Sequence, residues 1–341
     1  MPHITFAARA FACMTFAGMA ALTVPAAAQD ADFFKDKTIK IIVGYGPGGG
    51  YDTYARLLAG PIAKKLGAKA IVENQPGAGG INALNKLVIA KPDGLSFMIV
   101  NGTAAAMAQL AGQRAVRYDL GKMSTLATIA KSPWVWMVHK DSPIKTIDDA
   151  IKSTKEIRWA ASGPIDGLSD GALFTCEALK LKCKVIYGYK GSNDAGRAVM
   201  QGEMDAIYVS DTSAFNYAKA GGVRAVAVIN RKPSRFFKDI KPIFDTVKLS
   251  KEAEWLFDFH TTVEDLGRIF VAPPNMQPGR LKVLQDAIGA VLTDKDIIAM
   301  GEKSRRYIDY VDAAQTRKNI ATVVNVTPEE KARIRKVLLL P

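Results

Sequence analysis

Residues that bind metals or carry redox chemistry are scarce in this sequence. Among 341 residues there are three cysteines and three histidines, and no Cys-x-x-Cys motif or Cys/His cluster occurs. That scarcity argues against a metal centre. His139 and His260 are far apart in the sequence and have no neighbouring nucleophile or acid pair, which gives no support to a hydrolytic triad. We therefore expect no catalytic residue, no metal and no cofactor.

Long apolar runs are also missing after the first residues. Residues 1–28 contain Arg9, an apolar stretch from Ala10 to Val24 and then Ala26-Ala27-Ala28, which is the pattern of a cleaved export peptide. No later stretch approaches the run of about 18 apolar residues that a membrane span requires. We expect residues 1–28 to be removed and the mature chain to be soluble in the periplasm. A lipid anchor at Cys13 is the less favoured alternative, because the usual leucine before such a cysteine is missing.

Acidic residues are outnumbered by basic ones, 33 against 46, which gives a formal net charge of +13. The basic residues are scattered, and the densest patch runs from Arg231 to Lys238. A scattered excess of this kind favours anions in general. Together with export, it argues against a nucleic-acid partner.

Cys176 and Cys183 are the two cysteines that remain once residues 1–28 are removed. An oxidising compartment permits a disulfide between them, provided that the helix containing Cys176 ends before Cys183. Their spacing leaves a disulfide and two reduced core cysteines equally open.

Short β-rich runs alternate with amphipathic segments along the chain. In the first part, the runs IKIIV, AIV and LSFMIV are separated by helical patterns at about 52–66 and 80–90. A second alternating set runs from residue 134 to 229, and a tail adds RIFVA at 268–272 and further helices. Strand–helix–strand order is typical of parallel sheets with crossover helices. We therefore predict an α/β protein of two domains, each a mainly parallel sheet flanked by helices.

The predicted domain limits follow from this order. The first domain comprises residues 29–131 plus 244–341, and the second comprises residues 132–243. Within the second, Thr146 with Asp149 three residues later predicts a helix start through a capping box. No long Pro- or Ser-rich linker separates the two halves, so we expect crossing strands to form the hinge.

A glycine-rich turn follows the first strand and raises two alternatives. Gly44, Gly46 and Gly49 match the G-x-G-x-x-G fingerprint of dinucleotide-binding proteins, and Glu73 lies where a ribose-binding acid is expected. An exported NAD(P)-dependent oxidoreductase is therefore one hypothesis. Export and a second glycine-rich turn at 74–80 argue against it, because a dinucleotide-binding unit needs only one such turn. A Walker-type phosphate loop is excluded, because no Gly-Lys-Ser/Thr follows.

The alternative is that these turns bind a carboxylate. The carboxyl ends of parallel strands share one edge of a sheet, so the turns 44–52 and 74–80 and the segment 101–103 should converge on one crevice. Helix starts offer unpaired backbone N–H groups and a positive dipole end, so a carboxylate fits there without any arginine. One helix end contributes about 0.3–2 kcal/mol, whereas micromolar binding needs about 8 kcal/mol. Several turns and exclusion of water must therefore act together.

Three stretches carry a family resemblance: VGYGPGGGYDTYARLLA, IVENQPGAGGINALNKLVIAKPDG and VIYGYKGSNDAGRAVMQGEMDAIY. They resemble the signature stretches of the extracytoplasmic solute receptors of tripartite tricarboxylate transporters. The resemblance implies a two-domain, type II-like periplasmic binding protein that closes over a small mono- or dicarboxylate. It also implies delivery to a membrane permease of one large and one small subunit, and we expect a monomer. A receptor that presents its ligand to a sensor kinase is the remaining alternative.

The resemblance also implies a set of ligand-binding residues. In the first domain they are Gly46, Pro47, Gly48, Gly49, Gly50, Asp52, Ala78 and Gly79, and in the second Ser162, Gly163, Tyr189, Lys190, Gly191, Ser192 and Asp205. Tyr45, Asn101, Thr103 and Asp166 belong to the same turns and complete the predicted site.

Several of these residues also have simpler interpretations. Asp52 is a first-turn acid that the helix dipole favours, and Asp205 could merely close a turn. Tyr189 could be a core aromatic, and Lys190 a solvated surface charge. Asp166 stands where the family more often has Gly or Ser, so the distal group of the ligand differs or this charge is solvated. The tryptophans at 134, 136 and 159 are predicted to be core residues, and the segment 233–266 is not explained by the family pattern.

Overall fold

The computed structural model describes residues 1, 30, 32–131 and 133–338. Apart from Met1, the predicted export peptide, including Cys13, lies outside the described residues. Within the described ranges, no helix combines the length and the apolar character needed to cross a membrane.

Ten strands and twelve α-helices make up the described fold. The strands are β1 (Thr38–Val43), β2 (Lys69–Asn74), β3 (Ser96–Asn101), β4 (Ser124–Ala130), β5 (Trp134–His139), β6 (Ile157–Ala160), β7 (Cys183–Ile186), β8 (Ala206–Ser210), β9 (Val223–Ile229) and β10 (Arg268–Ala272). The helices are α1 (Gly50–Leu66), α2 (Ile81–Val88), α3 (Gly102–Ala111), α4 (Ile147–Lys152), α5 (Ser169–Leu179), α6 (Ser192–Met200), α7 (Asp211–Lys219), α8 (Lys251–Glu264), α9 (Pro278–Leu292), α10 (Lys295–Lys303), α11 (Ala313–Val324) and α12 (Pro328–Leu338).

The first sheet has the order β2-β1-β3-β10-β4. Strand β1 is parallel to β2 and β3, whereas β10 is antiparallel to both of its neighbours. Four strands therefore run in one direction and β10 runs against them. Alternate residues of β3 enter different cores: Phe97 and Ile99 pack with α1 and α9, and Met98 and Val100 pack with α2 and α3. Both faces of this sheet are consequently covered, which explains its almost continuous apolar runs.

The second sheet has the order β7-β6-β8-β5-β9, and β5 is the strand that runs against the other four. Its core contains Trp136 and Trp159, both fully buried. The predicted capping box opens α4, with Thr146 and Asp149 bonded reciprocally. Cys176 and Cys183 form a disulfide with a Cα–Cα distance of 6.2 Å. It links α5 to β7 and decides the question that the sequence left open.

The chain passes twice between the sheets. The first passage is the short segment 131–133, and the second, 230–267, contains α8. The expected crossing strands are thus a short connection in one case and a helix-bearing segment in the other. The first sheet takes its strands from 38–130 and 268–272 and the second from 134–229, while the exact domain limits stay a prediction.

Candidate functional site

A cavity of about 420 Å³ lies between the two sheets and is lined by residues from both halves of the molecule. Its volume is in the range of sites for small ligands. Nine of the predicted ligand-binding residues line it: Tyr45, Gly46, Pro47, Gly49, Gly50, Asn101, Lys190, Gly191 and Ser192. Residues that the sequence did not single out complete the lining: Tyr51, Trp134, Gly167, Leu168, Asn193, Asp194, Arg197, Val209, Ser210, Ser213 and Arg268.

The first glycine-rich turn connects β1 to α1 and forms one wall of the cavity. Two of its amides bind protein atoms: Gly46 N donates to the carbonyl of Lys190 at 2.8 Å, and Gly48 N donates to Asp52 Oδ2 at 2.9 Å. Gly48 itself lies outside the cavity lining. Gly49 is the N-cap of α1 and has extended backbone angles. Because the first-turn amides of a helix have no acceptor inside the helix, the anion-facing amides of this turn are those at the start of α1.

Asp52 binds the backbone of this turn and does not line the cavity. It is almost fully buried, at 3 % exposure. Its carboxylate accepts hydrogen bonds from Gly48 N, from Asn74 Nδ2 at 2.9 Å and from Arg56 Nε at 3.0 Å. Burial favours the neutral acid, but the hydrogen bonds from Arg56, Gly48 and Asn74 outweigh it and hold the pKa of Asp52 below its usual value. This acid therefore fixes the shape of the turn.

The second glycine-rich turn is covered by the other half of the molecule. A Cβ added to Gly79 would lie 2.4 Å from Cβ of Asp166, and one added to Gly163 would lie 2.8 Å from the carbonyl carbon of Ala78. Gly79 has φ +66°, which favours glycine. Ala78, Gly79, Gly163 and Asp166 therefore contact one another across the two halves and lie outside the cavity lining.

Asp166 binds within its own loop. Its carboxylate accepts hydrogen bonds from Ser162 through both the amide and the hydroxyl, from Leu168 N at 2.9 Å and from Ser169 N at 2.7 Å. Burial raises the pKa of Asp166, although these hydrogen bonds oppose the shift. Ser162 and Asp166 thus form the turn that leads into α5. Thr103 is likewise engaged internally, because its hydroxyl donates to the carbonyl of Val263 at 3.2 Å.

Tyr189 and Asp205 lie outside the cavity lining. The hydroxyl of Tyr189 donates to Glu203 Oε1 at 3.0 Å. Asp205 Oδ2 accepts from Arg158 Nε at 2.9 Å and from the Arg158 amide at 3.0 Å. Burial opposes ionisation of Asp205, but the Arg158 guanidinium prevails and lowers its pKa. Both residues therefore have local partners in the second half, while the neighbouring Lys190 is exposed and lines the mouth of the cavity.

Arg268 is a cavity residue that the sequence reasoning missed. It begins β10, opposite Asn101 at the end of β3 and Ala130 at the end of β4. Because β10 runs against these strands, its first residue lies at the edge where they end. The preceding Gly267 has φ +62°, and a Cβ there would lie 2.2 Å from the carbonyl oxygen of Ala130. A glycine is therefore required at this turn, which brings Arg268 into the crevice with an exposure of only 4 %.

One sequence signal was available for Arg268. RIFVA is an apolar strand that opens on a charged residue directly after a glycine, which is unusual for a buried strand. Trp134 was predicted to be a core residue; it is 8 % exposed and stacks on Tyr208 with ring centroids 5.1 Å apart. Trp134 therefore belongs to the core and also to the cavity wall.

A buried acid–histidine cluster lies beyond the cavity, where α5, β8 and α8 meet. Nε2 of His260 lies 3.5 Å from Asp170 Oδ1, and its Nδ1 lies 3.4 Å from Glu264 Oε1. Tyr208 donates to Glu264 at 2.5 Å. Burial raises the pKa of Glu264 to about 8. The view that His260 has no acid pair nearby is wrong in three dimensions, because α5 supplies Asp170 from a distant part of the chain.

Among the described residues, no cluster of three or more His, Cys, Asp or Glu side chains is arranged to hold a metal ion. The dinucleotide fingerprint is engaged by protein atoms: a Cβ on Gly44 would lie 2.7 Å from Gly80 Cα, and one on Gly46 would lie 3.3 Å from Lys190 Cβ. Gly44 is thus in close contact with Gly80 and Gly46 with Lys190, while Gly46 and Gly49 also line the cavity.

Comparison with known proteins places the chain among solute receptors. Residues 54–336 match the model of the "Tripartite tricarboxylate transporter family receptor" family. A curated relative from Cupriavidus necator, the "UPF0065 protein in gbd 5'region", is 31% identical over 244 residues, which cover 69% of this chain and 72% of that protein.

Two solved structures are similar in fold. MatC from Rhodopseudomonas palustris, determined with bound malate, has a TM-score of 0.73 at 21% identity and covers 89% of this chain and 99% of its own. The periplasmic binding protein BugD has a TM-score of 0.74 at 19% identity, with coverage of 89% and 98%. These likenesses confirm the predicted two-domain α/β architecture of periplasmic binding proteins.

Proposed function

Because this chain belongs to the family of tripartite tricarboxylate transporter receptors, we propose that it captures a small mono- or dicarboxylate in the cavity between its two sheets. Delivery of the acid to a membrane permease of one large and one small subunit completes the proposal. The protein acts in the periplasm as a monomer after removal of residues 1–28.

One observation carries this proposal: three helices begin at the cavity. Gly50 opens α1, Ser192 opens α6, and Ser210 is the N-cap of α7; all three line the cavity. Each helix start presents backbone amides and the positive end of a dipole, which together favour an anion. Helix starts from both halves thus line the same cavity.

Closure of the two halves over the ligand is the second part of the proposal. The Gly46–Lys190 hydrogen bond and the contact between Gly163 and Ala78 join the halves on either side of the cavity. Residues 29–131 plus 244–341 move against residues 132–243, and the hinges lie where the chain crosses between these two parts. Closure excludes water, which strengthens the electrostatic attraction of a buried carboxylate.

Thermal unfolding tests this function directly. The mature protein is heated with a panel of organic acids, and separately with NAD and NADP. A true ligand at about one hundred times its dissociation constant stabilises the folded state by about 2.7 kcal/mol, which is a visible shift. A shift with a dinucleotide and none with any acid would overturn the proposal in favour of an oxidoreductase. Uptake of the identified acid by cells with and without the receptor gene separates transport from a purely sensory role.

A further inference from the structure

Among the described residues that line the cavity, Arg268 is the least exposed cation. Arg268 is 4 % exposed, whereas Lys190 and Arg197 lie at the mouth and are solvent-exposed. The Arg197 guanidinium also has a local partner in Asp194. A buried cation acts on a ligand far more strongly than an exposed one, because solvent screens it less. Arg268 therefore dominates the electrostatics of the interior.

Three groups surround the Arg268 guanidinium on its cavity side. Its Nη2 atom lies 3.0 Å from Ser210 Oγ and 3.5 Å from the position that a Cβ of Gly50 would take. Ser213 Oγ lies 3.4 Å from that same Gly50 position and 3.4 Å from Ser210 Oγ. The guanidinium, two hydroxyls and the start of α1 therefore converge on one small region.

The guanidinium is fixed in place by aromatic rings. Its Cζ atom lies 5.2 Å from the ring centroid of Tyr51 and 5.0 Å from that of Tyr54. Cation–π contacts of this kind stabilise a cation and restrict its orientation. A side chain held in this way recognises an anion at a smaller entropic cost than a mobile surface arginine would.

A second arginine and an acid lie within electrostatic reach of Arg268. Arg306 is also buried, at 8 % exposure, and both burial and the nearby Arg268 lower its pKa. Burial raises the pKa of Asp211 to about 6 against the opposing effect of Arg268, so this acid still carries a negative charge at neutral pH. A ligand anion in the cavity would offset the repulsion between the two arginines.

We propose that Arg268, with Ser210 and Ser213, is the specificity-determining anion subsite of the cavity. It receives one carboxylate of the ligand, and the apolar body of the ligand lies against Trp134, Leu168 and Val209. This inference rests on the proposed function and deepens it, because backbone amides alone no longer account for recognition. One carboxylate is essential, and a second at the exposed mouth contributes little.

Two variants test the role of Arg268. Binding of succinate, glutarate and adipate is measured by calorimetry for the wild type, Arg268→Gln and Arg268→Lys. Removing the charge should weaken binding of the preferred acid roughly 30-fold or more. Lysine keeps the charge but loses the planar fork, so a loss on the order of tenfold is expected. Arg117→Gln, which changes an exposed arginine on the segment before β4, serves as the control and should bind like the wild type.

The ligand series provides a readout that a merely structural role would not change. Each diacid is compared with its half-amide and its diamide. The wild type should bind the diacid and the half-amide within a few-fold of each other and reject the diamide, and Arg268→Gln should lose this preference. If Arg268→Gln cannot be purified folded, Arg268→Lys carries the same comparison.

Two outcomes separate the claims. If the wild type binds an acid and both variants bind it within about threefold of the wild type, Arg268 is not the anion subsite and the proposed function still stands. If the wild type binds no member of a broader acid panel, the proposed function itself is overturned.

Discussion

The contact between Gly163 and Ala78 allows closure to be tested without touching the ligand. A Cβ at position 163 would lie 2.8 Å from the carbonyl carbon of Ala78 and 2.8 Å from the amide nitrogen of Gly79. Both atoms belong to the backbone of the other half, so they cannot rotate away. Gly163 is not among the residues with positive φ, and alanine therefore fits its own backbone. Gly163→Ala should consequently strain only the closed arrangement.

The expected size of the effect follows from the packing. Overpacking by one methyl group costs about 1–3 kcal/mol, and here the cost falls on the closed state alone. The apparent affinity for the acid should drop roughly 5- to 150-fold. Gly163 contributes no side chain to a hydrophobic core, so the unfolding temperature without ligand should change little.

Calorimetry with the acid that most stabilises the wild type measures this effect. Gly60→Ala is the matched control, because a Cβ at Gly60 meets nothing within 4 Å. It lies inside α1 directly before Pro61, whose ring disfavours a Cβ on the preceding helical residue, so some loss of stability is expected while affinity stays unchanged. If Gly163→Ala binds as tightly as the wild type, the 78–163 contact is absent from the ligand-bound form and the reasoning fails.

Three further perturbations have expected outcomes. Replacing both Cys176 and Cys183 by alanine opens a loop with a sequence separation of 7. The free energy of unfolding, measured by urea denaturation, should fall by about 2.5 kcal/mol, and an unchanged urea midpoint would contradict the expected role of the disulfide. Burial raises the pKa of Glu264 to about 8. Burial lowers the pKa of His260, but the neighbouring Glu264 and Asp170 outweigh this effect and raise it. The folded state thus keeps protons that the unfolded state releases, so this contribution to stability is complete below the unfolded pKa values and is lost as the pH rises towards about 8. Glu264→Gln should flatten this decline in urea midpoints recorded across that range, and an equally steep decline in the variant would assign it to other groups. Asp52→Asn places an amide donor among the donors that now bind the carboxylate of Asp52. We expect the free energy of unfolding to fall by about 1–3 kcal/mol and calorimetry to show weaker acid binding. Binding as tight as in the wild type would show that the turn keeps its shape without Asp52.

The sequence predicted strands better than helices. Residues 223–229 and 268–272 were assigned without error because both are short runs of β-branched and apolar residues bounded by turns. Helices α3 and α8 were missed for different reasons. Nine of the ten residues of α3 are buried, so it shows no polar face and no stripe. Helix α8 lies in a segment that departs from the family pattern, and only its position between α3 and α5 explains its apolar side.

The position of the first glycine-rich turn followed from local chain geometry, while ligand binding by its residues stays a prediction. The cavity is lined by Tyr45, Gly46, Pro47, Gly49 and Gly50 because a glycine-rich connection between a parallel strand and a helix must lie at the carboxyl edge of the sheet. Arg268 could not be placed in this way, since its position depends on the insertion of β10 between two strands that are remote in sequence. Asp205 and Tyr189 were assigned by resemblance, while the partners that hold them, Arg158 and Glu203, became visible only in three dimensions.

The place of β10 in the first sheet also sets an order of assembly. This strand lies between β3 and β4 but is made after the whole of the second sheet. During synthesis from the amino terminus, residues 134–229 can pair among themselves while β3 and β4 still lack their common neighbour. The arginine that begins β10 enters the crevice only when that gap is filled. A chain interrupted before residue 268 would therefore lack both the strand that joins β3 to β4 and the arginine of the cavity wall.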